Sequence, residues 1–255
     1  VGFSELIVLA TAVLVSAVIG NGVGIGSGIF LVPVLTLVLP SKLALGIGAP
    51  AMLISDIVGL RYYWKEWEFH ELKRLVPMGI LGVFSGGYLI DIIPSRYFQF
   101  GIGIVAVGFA CFQLYKSVRS RRAPLKASDK PHYVPSRSWS RSFFFGYLAG
   151  LASTMAHAGG MVMSIYMLQA DTPKRRFVGT FIIFSFATNL IKLFTYFRIG
   201  ILSGDMVTWM AALTPLIICG GFFGNFLNNR IPQELFRNLI MAFILAIGLW
   251  VASTA

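Results

Sequence analysis

Three ionisable residues, Asp56, His157 and Lys192, lie inside long apolar stretches of this 255-residue sequence. Charges placed in hydrocarbon are costly and mark substrate or proton paths. Asp56 could take up or release a proton to balance a bound anion, or it could be held permanently as the partner of Lys192. His157 could alternate between charged and neutral forms and so couple binding to protonation. Its plainer role is a neutral donor that fixes a chain reversal. Lys192 could be a charge partner or substrate contact, or could snorkel to the interface.

Two glycine-rich stretches carry the other polar groups. The first is Gly20-Asn21-Gly22-Val23-Gly24-Ile25-Gly26-Ser27-Gly28, and the second surrounds Ser153-Thr154-Met155-Ala156-His157-Ala158-Gly159-Gly160. So much glycine costs backbone entropy in a helix, so each stretch is expected to break one. Broken backbone survives at membrane depth only where it lines a wet cavity or is buried in protein. Helices resuming after Gly28 and Gly160 would aim free N–H groups and positive dipole ends at an anion. The expected substrate-binding set is Asn21, Gly22, Gly24, Gly26, Ser27, Gly28, Ser153, Thr154, His157, Gly159 and Gly160, with Ser55, Thr188 and Asn189 framing the same cavity. The alternative is that the glycines only let helices pack closely.

These residues need a membrane scaffold to hold them. The chain is 56% hydrophobic and 12% charged, and its mean hydropathy is +0.78. No charge occurs from Leu6 to Ser41, Leu75 to Ile90, Tyr97 to Tyr115, Met206 to Asn229 or Asn238 to Ala255. At about 20 residues per crossing, such runs predict an all-α integral membrane protein. The net charge of +11 sits in loops, as the positive-inside rule requires, and does not point to nucleic acid. Cys111 and Cys219 lie singly in apolar runs and are expected to be packing residues, without a disulfide framework or zinc site. The first apolar run exceeds a signal-peptide core and reads as part of the fold.

The sequence repeats itself. Pro77, Gly82, Gly86, Pro94 and Phe98 recur as Pro215, Gly220, Gly224, Pro232 and Phe236 at a constant offset. Upstream, Gly46, Ser55-Asp56, Leu60 and Tyr63 match Gly179, Thr188-Asn189, Leu193 and Tyr196, and Gly28 matches Gly160. Residues 1–115 therefore form a first membrane repeat and 142–255 a second. A basic linker, 116–141, joins them and reads as cytoplasmic; an anionic-lipid patch is its alternative role. Each repeat opens with a broken or re-entrant segment, followed by helices at about 43–63, 73–93 and 97–115, then 177–199, 206–228 and 236–254. Leu6 to Pro40 as one helix would be about 50 Å long, against a core of about 30 Å. Re-entrant hairpins leave only Lys42, Arg96 and Arg198 outside, a better positive-inside split than eight continuous spans. Three full crossings per repeat would invert the second copy and place both termini outside.

The order of these features resembles the sulfite exporter TauE/SafE family, also called the 4-toluene sulfonate uptake permease family. The likeness is carried by Gly22-Val23-Gly24-Ile25-Gly26-Ser27-Gly28-Ile29-Phe30-Leu31-Val32-Pro33 and Ala44-Leu45-Gly46-Ile47-Gly48, echoed at Gly159-Gly160 and Val178-Gly179-Thr180. It implies a multi-pass transporter of the bacterial cytoplasmic (inner) membrane that moves sulfite, sulfoacetate or another organosulfonate with proton coupling and no cofactor. Met161-Val162-Met163-Ser164 departs from the family's usual glycine and proline there, which bears on the substrate more than the fold.

Other readings follow from other residues. Met155, His157, Met161, Met163 and Met167 would suit a soft-metal permease, although methionine is also an ordinary packing residue. Flux indifferent to pH would suit an anion channel. Ser153 and His157 lie one turn apart, yet no acid stands nearby to orient the imidazole, so an enzyme is not expected. The expected partners are a small anion and membrane lipid, with a homodimer left open.

Overall fold

The computed structural model describes residues 3–23, 27–94, 138–167, 174–202 and 204–230, together with isolated helical positions between Tyr97 and Tyr115. The described residues form helices and no strands. They are α1 (Phe3–Val23), α2 (Ser27–Thr36), α3 (Ser41–Tyr62), α4 (Phe69–Ile92), α5 (Trp139–Ala156), α6 (Gly159–Met167), α7 (Lys174–Arg198) and α8 (Gly204–Arg230). Four of them are long and apolar enough to cross a membrane: Ser41–Tyr62, Phe69–Ile92, Arg175–Arg198 and Thr208–Leu227. Their boundaries lie within a few residues of those read from the apolar runs. Helix α5 begins at Trp139, so the end of the expected linker is helical. The helix expected at 236–254, linker residues 116–137, and Gly24 and Gly26 lie outside the described residues.

Both opening segments double back. Ser16 Oγ on α1 donates to the Ser27 carbonyl on α2 at 3.2 Å. Eleven residues of unbroken helix would separate that pair by about 16 Å. Leu31 and Leu35 of α2 accordingly pack against Leu9, Ala12 and Val13 of α1. In the second segment the Ser142 and Tyr166 hydroxyls meet at 2.7 Å. The reversal there is a helix cap. His157 takes the left-handed conformation, φ 51°, while the Ala158 N–H donates to the Ala152 carbonyl and the His157 N–H to that of Ser153.

Glycines set how the hairpins dock. Gly79 and Gly82 of α4 lie against the backbone of α5 around Gly150 and Tyr147, and Gly86 faces Thr154. The residue numbers rise together, so α4 and α5 run parallel. Gly220 and Gly224 of α8 do the same against Leu14 and Val18 of α1. A side chain at Gly82, Gly150, Gly220 or Gly224 would meet backbone, and small residues are what allow membrane helices to approach this closely. Each hairpin is thus seated on a helix from the other part of the chain. Helices α3 and α7 cross the centre antiparallel, with Asp56 beside Ser185 and Asn189 and Gly59 beside Ile182.

Further contacts recur at positions the sequence pairs. Tyr63 OH donates to the Asn21 carbonyl, and Tyr196 OH donates to the Thr154 carbonyl. Gly46 lies under the Ile201 carbonyl, and Gly179 lies under that of Glu66. Cys111 and Cys219, expected to be packing residues, are instead exposed.

Candidate functional site

The two hairpin tips touch at the centre of the molecule. A Cβ built on Gly28 would lie 2.6 Å from the Cβ of His157, and one on Gly48 of α3 would lie 3.0 Å from its Nε2. The first residues of α2 and of α6 line one cavity: Ser27, Gly28 and Ile29 from one tip, Gly159 and Gly160 from the other, with Ser153, His157, Ser185 and Thr188 around them. Its volume is about 10 Å³, room for a single water-sized group. The first turn of a helix leaves N–H groups without intrahelical acceptors and carries the positive end of its dipole. Two such ends converge here.

Behind this cavity runs a continuous hydrogen-bonded chain. The Lys192 ammonium donates to Ser153 Oγ at 2.8 Å and to Asn189 Oδ1 at 2.8 Å. Asn189 Nδ2 in turn donates to Asp56 Oδ2 at 2.7 Å, which also accepts from Ser185 Oγ at 2.9 Å. Asp56 and Lys192 therefore communicate through Asn189. The ion pairs among the described residues, Arg175–Glu66 and Arg176–Glu68, do not include them. Lys192 is 0% exposed, which corrects the snorkelling alternative: Ser153 and Asn189 satisfy the ammonium inside the protein.

His157 is 3% exposed, and neither ring nitrogen has a hydrogen-bond partner. The expected role as a donor fixing the reversal is therefore corrected, since backbone bonds close that turn. A buried imidazole without partners is expensive to maintain. Among the described residues Asn21 Oδ1 is the other buried side-chain atom without a partner.

A second small cavity adjoins the first and shares Ser27, Met52 and Phe181 with it; Ser16, Gly20, Asn21, Ser55, Asp56 and Ile182 complete its wall. Most expected residues thus border one cavity or the other, while Asn189 and Lys192 back them. Gly22 instead packs near Gly224, and the Thr154 hydroxyl returns to its own helix at the Gly150 carbonyl. Sequence reasoning missed Ser16 and Ser185. Ser185 had a legible signal, because Ser185, Asn189 and Lys192 form one helical stripe at i, i+4 and i+7.

Among the described residues no three His, Cys, Asp or Glu side chains gather as a metal site. The methionines disperse: Met155 and Met161 pack in one apolar cluster, Met163 and Met167 in another.

No curated protein and no solved structure matches the chain. A family model described as "Sulfite exporter TauE/SafE" matches residues 8–251, nearly the whole length, including both hairpins and the residues between them. The chain therefore belongs to the sulfite exporter TauE/SafE family, a family of membrane transporters and not of enzymes.

Proposed function

We propose that this protein is a secondary transporter of a small anion, a sulfur-containing one such as sulfite, sulfoacetate or another organosulfonate, working by alternating access. The observation that carries the reading is the meeting of two helix N-termini at one cavity, with the Lys192 ammonium bound to the Ser153 hydroxyl in its wall. Amide N–H groups, hydroxyls, an imidazole and a buried cation are what an oxyanion needs, and helix ends of this kind hold anionic groups in other transporter folds. The sulfur chemistry comes from the family description. In the substrate-binding assignment Ser27, Gly28, Ser153, His157, Gly159, Gly160 and Thr188 face the anion, and Asp56 couples its movement to a cation, a proton in the simplest case.

Inverted repeats give the motion a physical basis. The parallel pairs α1/α8 and α4/α5, with α3 and α7 antiparallel, support hairpins that enter from opposite faces. The face holding Arg61, Lys65, Lys73, Arg74 and Lys174 to Arg176 is then cytoplasmic, as is the basic linker. The anion cavity is smaller than any of these substrates, so loading requires the tips to separate.

Uptake of radiolabelled sulfite, sulfoacetate and chloride into proteoliposomes tests the reading. The sulfur anions should move faster than chloride and respond to an imposed ion gradient. Equal rates for all three, indifferent to any gradient, would identify a channel instead.

A further inference from the structure

The cavity beside Asp56 differs chemically from the one between the tips. Its polar wall is the Asp56 carboxylate, the hydroxyls of Ser16, Ser27 and Ser55 and the Asn21 amide. Asn21 Nδ2 is committed, donating to the Ala17 carbonyl at 3.1 Å and to Ser55 Oγ at 3.0 Å. That fixes the orientation of the amide and leaves Oδ1, on a residue 2% exposed, as a buried acceptor with no donor. Asp56 takes its two hydrogen bonds on Oδ2, so Oδ1 accepts neither. A proton would need the carboxylate alone. A residue with an unpartnered amide oxygen, sharing a cavity of about 10 Å³ with a carboxylate and three hydroxyls, instead offers the oxygen ligands that a small hard cation takes.

We propose that the cavity bordered by Ser16, Asn21, Ser55 and Asp56 is a coupling-ion site that takes one dehydrated monovalent cation of the sodium class, with a proton as its competitor at the carboxylate. The inference rests on the anion-transport reading and names the ion that such transport would use. Asn189 joins the two sites, since its amide nitrogen touches Asp56 and its amide oxygen touches Lys192. A cation that draws on Asp56 therefore acts on the group that holds Lys192 against Ser153. The charged group linked to Asp56 is Lys192 on α7, through Asn189, and His157 at the reversal between α5 and α6 borders the other cavity. Helix α2 has no charged residue, α1 has none between Leu6 and Gly22, and α8 has none between Met206 and Asn229.

The experiment uses the full chain, first in detergent and then in proteoliposomes, at constant ionic strength and symmetric pH. Sodium chloride replacing choline chloride should raise the thermal midpoint saturably, with potassium less effective and the sodium midpoint concentration rising as pH falls. An inward sodium gradient should accelerate sulfite or sulfoacetate uptake at least about fivefold, within the usual range of coupling between sites. Asp56→Asn and Ser55→Ala should each remove the sodium response. A wild-type midpoint and flux identical in sodium and choline would overturn the proposal, and anion flux in choline driven by a pH gradient imposed in a separate run would show that the transport reading survives without it. Sodium stabilisation with no anion flux under any gradient would keep the cation site and sink the transport reading.

Discussion

The two opening hairpins share a scaffold and differ in charge. Tyrosines at paired positions, Tyr63 and Tyr196, hold the carbonyls of Asn21 and Thr154, and glycines at paired positions let each hairpin settle on a helix of the other part of the chain. The ionisable groups break this correspondence. Asp56 on α3 pairs in sequence with Asn189 on α7. At the same spacing, Gly59 stands where α7 has Lys192, and its missing side chain leaves space beside Asn21 Oδ1, 3.0 Å from an ideal Cβ. One region carries the negative charge and the unpaired oxygen, the other carries the ammonium. Packing demands are common to both regions and account for the same residues in each, whereas the anion and the cation proposed above would require different ones.

The contact between tips provides the most severe way to break this comparison. Gly28→Val places methyl groups where the His157 backbone and side chain now lie, and should reduce anion flux by about 100-fold or more, as expected when a binding constellation is displaced by about 1 Å. Gly159→Val strikes within its own hairpin, against Ser153 and the Ala149 carbonyl, and should lower folding yield as well as flux. Size-exclusion profiles separate the two. Normal flux in well-folded Gly28→Val protein would show that the tips do not form the anion site.

Next come the charges themselves. Lys192→Met removes the buried ammonium and leaves Ser153 and Asn189 Oδ1 without their donor. Losing one partner of a buried charged hydrogen bond costs about 2–5 kcal/mol, so KM for the anion should rise by at least about tenfold. Asp56→Asn should abolish the response to the driving gradient in a protein that still folds, because an amide can keep a hydrogen bond to Ser185 or Asn189. If both variants shifted KM alike, the separation into a cationic and an anionic region would be wrong. Asn189→Asp sharpens the test by giving α7 the carboxylate of α3. A new negative charge beside Lys192 should weaken anion binding by about tenfold, less than Lys192→Met does if the ammonium still reaches Ser153.

Much of this was legible before any fold was known, for physical reasons. Apolar runs of membrane length fixed α3, α4, α7 and α8 to within a few residues, because a bilayer admits few alternatives for such segments. The glycine-rich tips and the three buried ionisable residues stood out because each is costly unless compensated. The compensation was not legible. Asn189 as a bridge between Asp56 and Lys192 depends on the antiparallel crossing of α3 and α7, and nothing in a one-dimensional pattern sets that register. The lone acceptor on Asn21 was hidden for a related reason: a sequence shows that an amide is present but not that both its hydrogens are already committed.

The smallest expected effect lies at the two loops, where the comparison takes a milder form. The α3–α4 loop is tied to α7 by Arg175, whose Nε and Nη2 donate to Glu66 at 2.6 and 2.8 Å, and by Arg176 on Glu68 at 3.0 Å. The corresponding loop over Gly46 is held by Ile201 and Met206, without an ion pair among the described residues. Hydrogen bonding from Arg175 holds the Glu66 carboxyl below its ordinary range. A carboxyl with a depressed folded-state pKa contributes stability above its unfolded value and loses it as pH falls through the folded one. Both groups are exposed to solvent, where such pairs are screened. Glu66→Gln should therefore lower the thermal midpoint by less than about 2 °C near neutrality. The difference from wild type should vanish on acidification from about pH 6 to about pH 3, and high salt should erase it at neutral pH. A large drop that persists in high salt would mean that this loop contributes more to the fold than a screened surface pair can.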